Sequence, residues 1–389
     1  MLDFVFHNHT KTVFGRNAEA QTGELTADYG KKILLLYGGG SIMRSGLYDR
    51  VTASLKAAGV EWIDLGGVQP NPVLSLAKKG IEICKKEGIG FILAVGGGSV
   101  IDTAKTIALG TPYDGDVWDF FCGRPYEKSL PIGVVLTIPA AGSESSCDAV
   151  ITKEEGMLKR ASCFSMDLRP EFAIMNPEVT LTLPDWQTFA GISDIMAHIM
   201  ERYFTTTEHV EISDRLCEGL LKGVITAARA LKKDGQDYNA RAEVMWAGSL
   251  AHNNLCGVDR GQEWVCHMLG HEISGMYEAT HGATLAMLFP NWLEYVMKAN
   301  QERAMQFANR VFGIDYTPER PEEMGKAGIK ALRDFFTEIG MPAKFSDLGI
   351  ANPDIETLTD KATNYGAKKL GRYMPLSHED IVAIYKMCI

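Results

Sequence analysis

Asp194 and His198 stand four residues apart in GISDIMAHIMERYF (191–204), and His267, His271 and His281 follow in WVCHMLGHEISGMYEATHG (264–282). Both segments read as helix. Residues four apart on a helix share a face, so Asp194 with His198 offers an oxygen and a nitrogen from one helix, and His267 with His271 offers two nitrogens from another. Nine histidines in 389 residues lead one to expect about 0.35 in a fifteen-residue window, yet residues 267–281 hold three, as a metal site would require. One carboxylate with two or three imidazoles suits a borderline divalent ion, Fe2+ or Zn2+, with a coordination position left for a substrate oxygen. A zinc peptidase would need His-Glu-x-x-His. Glu272 does follow His271, but Gly275 stands where the second histidine would be. Cys266 adjoins His267, about 100° round the helix, and reads as packing.

A second chemistry is written in glycine. KILLLY (32–37) runs into Gly38-Gly39-Gly40-Ser41, FILAV (91–95) into Gly96-Gly97-Gly98-Ser99, and IGVVLTIP (132–139) into a segment containing GSESS (142–146). A turn without side chains lets backbone N–H groups approach a phosphate, and the helix that follows presents its positive end to the charge. Neither triplet is the G-x-G-x-x-G fingerprint, and each could be a tight turn needing positive φ. Three such turns at successive strand ends point to a dinucleotide. Asp102, on the first turns of the helix after the second triplet, faces the expected cofactor. Where NAD enzymes carry an acid for the ribose 2′-hydroxyl, this chain has Gly38, which tilts the choice from NAD(H) to NADP(H).

The elements that must position these groups fall into two kinds. Up to Pro184, apolar strand runs alternate with glycine turns and amphipathic helices. That pattern implies βαβ units and a Rossmann-like parallel sheet, an α/β dinucleotide-binding domain over 1–184. Residues 4–14 alternate well enough to predict two short strands in an edge ribbon, with His7 and His9 on its surface. From 185 to 389 the strand signals stop. Helices are expected around Asp194, through 242–254, around His267, through 285–298 with Pro290 kinking or dividing it, and over 320–340 up to Gly340, an all-α metal-binding domain. His209, His252 and His378 lack a partner at helical spacing that completes a site and read as structural or surface residues.

Composition excludes several classes. A formal charge of −10 and the absence of a basic stripe argue against nucleic acid as a partner. No run approaches the roughly 18 apolar residues of a membrane span, and MLDFVFHNHTK lacks a signal-peptide pattern, so a cytoplasmic protein with no membrane partner is expected. Eight cysteines without a Cys-x-x-Cys pair fit reduced thiols.

GGGSVIDTAK (96–105), TIPAAGSESS (137–146), TLTLP (180–184), the Asp194-x-x-x-His198 pair and HMLGHEISGMYEATHG (267–282) together resemble the iron-containing (group III) alcohol dehydrogenase family, in its branch of NADPH-dependent butanol dehydrogenases and aldehyde reductases. The resemblance spans nearly the whole chain and implies a dehydroquinate synthase-like, two-domain fold. It implies that Asp194, His198, His267 and His281 bind the metal, and that His271 lies beside the nicotinamide and substrate without being a ligand. Gly97, Gly98 and Ser99 match the family's pyrophosphate turn, and Gly38, Gly39 and Ser41 the segment near the adenosine ribose. Asn71, Thr137, Ser146 and Lys159 match positions that usually contact the cofactor. Val100 and Ala141 depart from the proline and threonine of many members. The family binds iron in some members and zinc in others, and its members pair through the N-terminal strands into homodimers.

The expected activity is reversible hydride transfer between NADP(H) and a primary alcohol or aldehyde, with the metal as Lewis acid. The rival from another class is a dehydroquinate-synthase-like lyase using metal and NAD, whose phosphorylated substrate would demand several Arg and Lys beside the ligands. A non-catalytic metal-binding protein is the third reading.

Overall fold

A computed structural model describes residues 1–126, 128–162 and 168–389. They group into two compact units, one of residues 7–183 and 236–249, the other of 1–6, 184–235 and 250–389. The polypeptide therefore does not divide at a single point.

The first unit is built on a six-stranded sheet: β1 (Lys11–Phe14), β2 (Lys32–Gly38), β3 (Glu61–Val68), β4 (Ile92–Gly96), β5 (Ile132–Leu136) and, after a two-stranded antiparallel hairpin of β6 (Val150–Lys153) and β7 (Leu158–Ala161), β8 (Phe172–Met175). The order across the sheet is β1-β8-β5-β4-β2-β3, and every pairing in it is parallel. The apolar runs are continuous because both faces are covered. Leu34, Leu36, Ile92, Ala94 and Val134 pack on one side with the Leu74–Glu87 and Gly98–Gly110 helices, whereas Ile33, Leu35, Leu93 and Val135 pack on the other with Val51 and Leu55 of the Leu47–Ala57 helix. Strand period 2 sorts neighbours onto opposite cores, and each fully buried Leu or Ile contributes roughly 1.5–3 kcal/mol.

Two sequence expectations fail in this unit. Residues 4–10 form no strand, and only Lys11–Phe14 joins the sheet, parallel to β8, so there is no edge ribbon. The alternating residues 4–6 belong to the other unit, where Leu2 N donates to Asp259 O at 2.8 Å. Alternation marked a period there without supplying a partner strand. The β6–β7 hairpin went unread because its turn, Glu154 to Met157, separates strands of only four residues.

The second unit is helical. Its long members are Asp185–Tyr203, Glu211–Lys233, Val265–Tyr277, His281–Val296, Gln301–Phe312 and Pro321–Glu338. Pro290 does not divide the helix: His281–Val296 is one helix. Proline removes one backbone bond, but Leu288, Phe289, Trp292 and Leu293 are fully buried, and Asn291 Nδ2 adds a bond to Met287 O at 2.8 Å. The Glu211–Lys233 helix was not among those expected from the sequence, and its exposed face mixes Arg215, Lys222 and Arg229 with the apolar Ile212 and Leu216. The 242–254 segment begins its helix at Tyr238, and residues 236–249 belong to the sheet unit. Among the described residues no helix is long and apolar enough to cross a membrane.

Candidate metal centre and dinucleotide site

Asp194 and His198 lie on one face of the Asp185–Tyr203 helix, with His198 Nε2 3.5 Å from Asp194 Oδ1. His267 comes from the Val265–Tyr277 helix, and its Nε2 is 3.7 Å from the same Asp194 oxygen. His281 sits elsewhere than the sequence suggested. The helix bearing His267 and His271 ends at Tyr277, Glu278 turns left-handed with φ 53°, and His281 opens a new helix. Two glycines allow that approach. A Cβ on Gly282 would stand 1.9 Å from Ala190 O and 3.2 Å from Asp194 Cβ, and one on Gly270 would meet the His281 ring at 3.4 Å. Without side chains at 270 and 282, the three helices close until donor atoms of Asp194, His267 and His281 all lie within 4.8 Å of one another.

A residue not singled out from sequence aims this cluster. Glu201, wholly buried and seven residues beyond Asp194, accepts hydrogen bonds from His267 Nδ1 (2.9 Å), His267 N (3.0 Å) and Trp264 N (2.6 Å). The carboxylate keeps a proton on Nδ1 and leaves the Nε2 lone pair facing Asp194. The period was there to find: 194, 198 and 201 share one helical face. Burial lowers the pKa of His267, but Asp194 and Glu201 outweigh it and the net shift is upward. Burial, then the neighbouring imidazoles of His252 and His267, holds His198 well below its usual value, so that it stays neutral.

His252, expected to be structural, stacks on His198 with ring centroids 4.1 Å apart, and Trp264 packs against both at 5.7 Å. No spacing rule links 252 to 198, since they lie on different helices. His271 is half-buried, its ring 4.9 Å from that of His281. His209 is exposed, and His378 pairs with Asp360 at 3.0 Å. Cys266 is buried, as packing requires.

The sheet unit supplies a different kind of site. From β2 the chain crosses to β3 on one side, whereas from β4 it crosses to β5 on the other, so the winding reverses between β2 and β4. Ligands of parallel sheets bind outside the strand carboxyl ends at such a reversal, and here both glycine triplets end those two neighbouring strands. Gly97 caps the thirteen-residue Gly98–Gly110 helix, whose first amides, Gly98 and Ser99, are free of intrahelical partners by geometry. A Cβ at Gly97 would stand 2.0 Å from Ile138 Cγ2, so close packing as well as ligand approach requires glycine there. Gly38 pairs with Val68, Gly39 is open to solvent and Ser41 begins the short Ser41–Arg44 helix.

The other expected cofactor residues are largely engaged inside the protein. Lys159 Nζ donates to Asn71 Oδ1 at 2.8 Å, which brings two of them together. Thr137, half-buried, donates its amide to Gly96 O at 3.1 Å and so lies beside the second triplet. Ser146 is buried, its hydroxyl accepting from Lys105 Nζ at 2.9 Å. Asp102 accepts from Ser143 Oγ at 2.6 Å and from Val150 N at 3.1 Å. Burial pushes the Asp102 carboxyl up to about 6, with Lys105 and these bonds opposing. Arg44, unremarked in the sequence, lies over the first triplet, its Nη1 3.8 Å from where a Cβ of Gly40 would be.

A family model described as iron-containing alcohol dehydrogenase matches residues 9–177, and a second, the C-terminal part of the Fe-containing alcohol dehydrogenase family, matches 188–389. The chain belongs to the iron-containing alcohol dehydrogenase family. It is 39% identical to NADH-dependent butanol dehydrogenase A of Clostridium acetobutylicum over 99% of both chains. It is 35% identical to the NADPH-dependent aldehyde reductase YqhD of Escherichia coli over 95% of both. The crystal structure of NADH-dependent butanol dehydrogenase A from Thermotoga maritima superposes with a TM-score of 0.95 at 41% identity, covering 100% of this chain and 99% of that one.

Membership in the iron-containing alcohol dehydrogenases implies a nicotinamide cofactor and a divalent metal. The residues present fit a metal. Asp194 Oδ1 and His267 Nε2 are buried yet make no hydrogen bond, and a carboxylate oxygen and an imidazole nitrogen left so cost free energy unless a cation joins them. These relatives are alcohol and aldehyde oxidoreductases by description and do not favour the lyase alternative.

Proposed function

We propose that this protein transfers hydride reversibly between NADP(H) and a primary alcohol or aldehyde, at a divalent ion held by Asp194, His198, His267 and His281. The observation that carries it is the set of buried, unbonded donor atoms of Asp194 and His267 together with His281 within 4.8 Å. When bound, the ion supplies Lewis acidity toward the substrate oxygen, and the nicotinamide supplies or accepts the hydride. The chain's own groups orient and shield. Glu201 fixes the tautomer of His267, Trp264 and His252 wall off His198, and the burial of the cluster keeps water from competing. His271 moves a proton at its imidazole nitrogen between substrate and solvent, a role that fits its half-buried place next to His281.

The dinucleotide is read as bound by Gly38, Gly39, Ser41, Asn71, Gly97, Gly98, Ser99, Thr137 and Lys159, with the α/β residues up to 184 as its domain and the helical residues from 185 carrying the metal. NADP(H) over NAD(H) is supported by Gly38 at the strand end and by the place of Asp64, exposed in the middle of the edge strand β3 opposite Leu35, where it accepts from Tyr48 Oη at 3.0 Å. Arg44 adds a cation where a 2′-phosphate would lie. A homodimer through the N-terminal segment is supported by Met1, Leu2, Phe4, Val5 and Phe6, all at least 40% exposed, a run too apolar to leave in water without cost. A cytoplasmic location fits the reduced state of the described cysteines.

The test mixes purified protein with butanal and either NADPH or NADH, follows the reduced nicotinamide absorbance, and runs elemental analysis on the same sample. Oxidation of NADPH in preference to NADH, with about one iron or zinc per chain and activity lost on chelation, is the expected result. Phosphate release from a sugar phosphate without net nicotinamide oxidation would turn the reading toward a lyase.

A further inference from the structure

Asp102 and Lys105, one turn apart on the helix that follows the second glycine triplet, both bond to the segment 143–150. Asp102 accepts from Ser143 Oγ (2.6 Å) and Val150 N (3.1 Å), which occupies both carboxylate oxygens. Lys105, with no exposed surface, donates to Ser146 O (3.1 Å), Ser146 Oγ (2.9 Å) and Asp148 O (2.8 Å), which uses all three of its protons. The two side chains thus grip the segment at four successive places.

What they grip leads on to a candidate cofactor group. Val150 opens β6, and Thr152 N donates to Pro72 O at 2.8 Å, docking the hairpin on the turn that holds Asn71. Across the hairpin Lys159, opposite Thr152, donates to Asn71 Oδ1. The path from Asp102 through Val150 to Lys159 and Asn71 consists of hydrogen bonds and one short ladder. The glycine turn itself begins only five residues before Asp102.

We infer that Asp102 and Lys105 are positioning residues for the nicotinamide dinucleotide: they fasten segment 143–150 and the Lys159 hairpin to the pyrophosphate helix and do not themselves touch the cofactor. This rests on the dinucleotide reading above. A buried lysine is costly to desolvate and is kept here by three oxygen acceptors, a cost with no return if the segment had no fixed place to hold. The charged carboxylate likewise suits a backbone N–H and a hydroxyl, both donors, better than an amide would.

The experiment compares native enzyme, Asp102→Asn, Lys105→Met and the milder Ser143→Ala. It measures hydrogen exchange of amides 143–161 in the metal-loaded, nucleotide-free protein, the dissociation constant of NADPH by fluorescence, and kcat at saturating NADPH. An Asn at 102 can keep its Oδ1 on Val150 N and turn its NH2 to Ser143 Oγ, which must then accept, so the negative charge that strengthened both bonds is lost. That predicts NADPH binding weaker by about five- to fiftyfold, exchange of 143–161 faster by a similar factor, and kcat within about threefold. Ser143→Ala should shift both readouts the same way by less, and adding it to Asp102→Asn should produce less than the product of the two effects. Weaker binding with unchanged exchange in the nucleotide-free protein would make Asp102 a direct cofactor contact and overturn the inference. Faster exchange with unchanged NADPH binding would leave only a structural staple and overturn it too. Native protein that binds neither nucleotide removes the dinucleotide reading and this inference with it, whereas native protein that binds while all three variants are indifferent removes this inference alone.

Discussion

The two candidate sites are made of opposite materials. In the helical unit, one carboxylate and several imidazoles converge, and Asp194 Oδ1 and His267 Nε2 stand buried without hydrogen bonds, within 4.8 Å of a donor atom of His281. In the sheet unit, the side chains of Asn71, Asp102, Ser146 and Lys159 are already hydrogen-bonded to the protein, and much of what is offered to a ligand is backbone: the amides after Gly97 and the bare turns at Gly38–Gly40. A site made of side chains is specific for charge and geometry at single atoms. One made of backbone is specific for shape, and its side chains act by holding the frame.

This contrast can be broken at several points. The largest effect is expected from Asp194→Ala: metal content falls to background and turnover drops about a thousandfold or more, while NADPH binding changes less than about twofold. Elemental analysis with fluorescence titration checks it, and parallel loss of nucleotide binding would erase the separation between the sites. Glu201→Gln keeps every first ligand but loses the charge that orients His267, and should weaken metal affinity by roughly ten- to a hundredfold, read by competition with a chelator. Gly97→Ala tests the backbone-built site by adding one methyl, which would stand 2.0 Å from Ile138 Cγ2. The strain, about 1–3 kcal/mol, should weaken NADPH binding by about tenfold or more with the metal content untouched. Arg44→Ala should cost about tenfold in kcat/KM with NADPH and little with NADH, since only one of them carries a 2′-phosphate. An equal loss with both would place Arg44 outside the ribose site.

The smallest effect is on stability. Asp102 is held up to about 6 against a usual 3.8, so between those pH values the folded chain keeps a proton that the unfolded chain has released. Its contribution to stability is therefore greatest below pH 4, declines as pH rises through about 6, and stays lower above that. Asp102→Asn should flatten this slope by at most about 1 kcal/mol after solvent screening, measurable in denaturant titrations at pH 4.5 and 7.

The same contrast decides what could be read from sequence. Ligand types are visible in the letters, so Asp194, His198, His267, His271 and His281 stood out together, only the family resemblance setting His271 apart, and so did the alternation of strand and helix that builds β2, β4 and β5. The means of convergence were not. Gly270 and Gly282 matter because of which backbone they let pass, and His252 meets His198 across two helices, facts of packing with no period. Glu201 was within reach at helical spacing but does not resemble a ligand, because its partner is a ligand. Residues 4–10 show the converse, a pattern with no neighbour to pair with. In the cofactor half, glycine announced the turns, but only the strand order told that both lie where the winding reverses. Asp102 was read by its place on the helix, and its direction could come only from Ser143 and Val150.

Glu201 carries one more consequence. The carboxylate that aims His267 also receives the amides of Trp264 and His267, the bare start of the Val265–Tyr277 helix, which Trp264 in its left-handed conformation leaves without a side-chain cap. Affinity for the ion and heat tolerance of that helix are thereby tied to one oxygen pair. Laboratory evolution toward either property alone would meet the other as a constraint, and variants at position 201 should trade them along a single line.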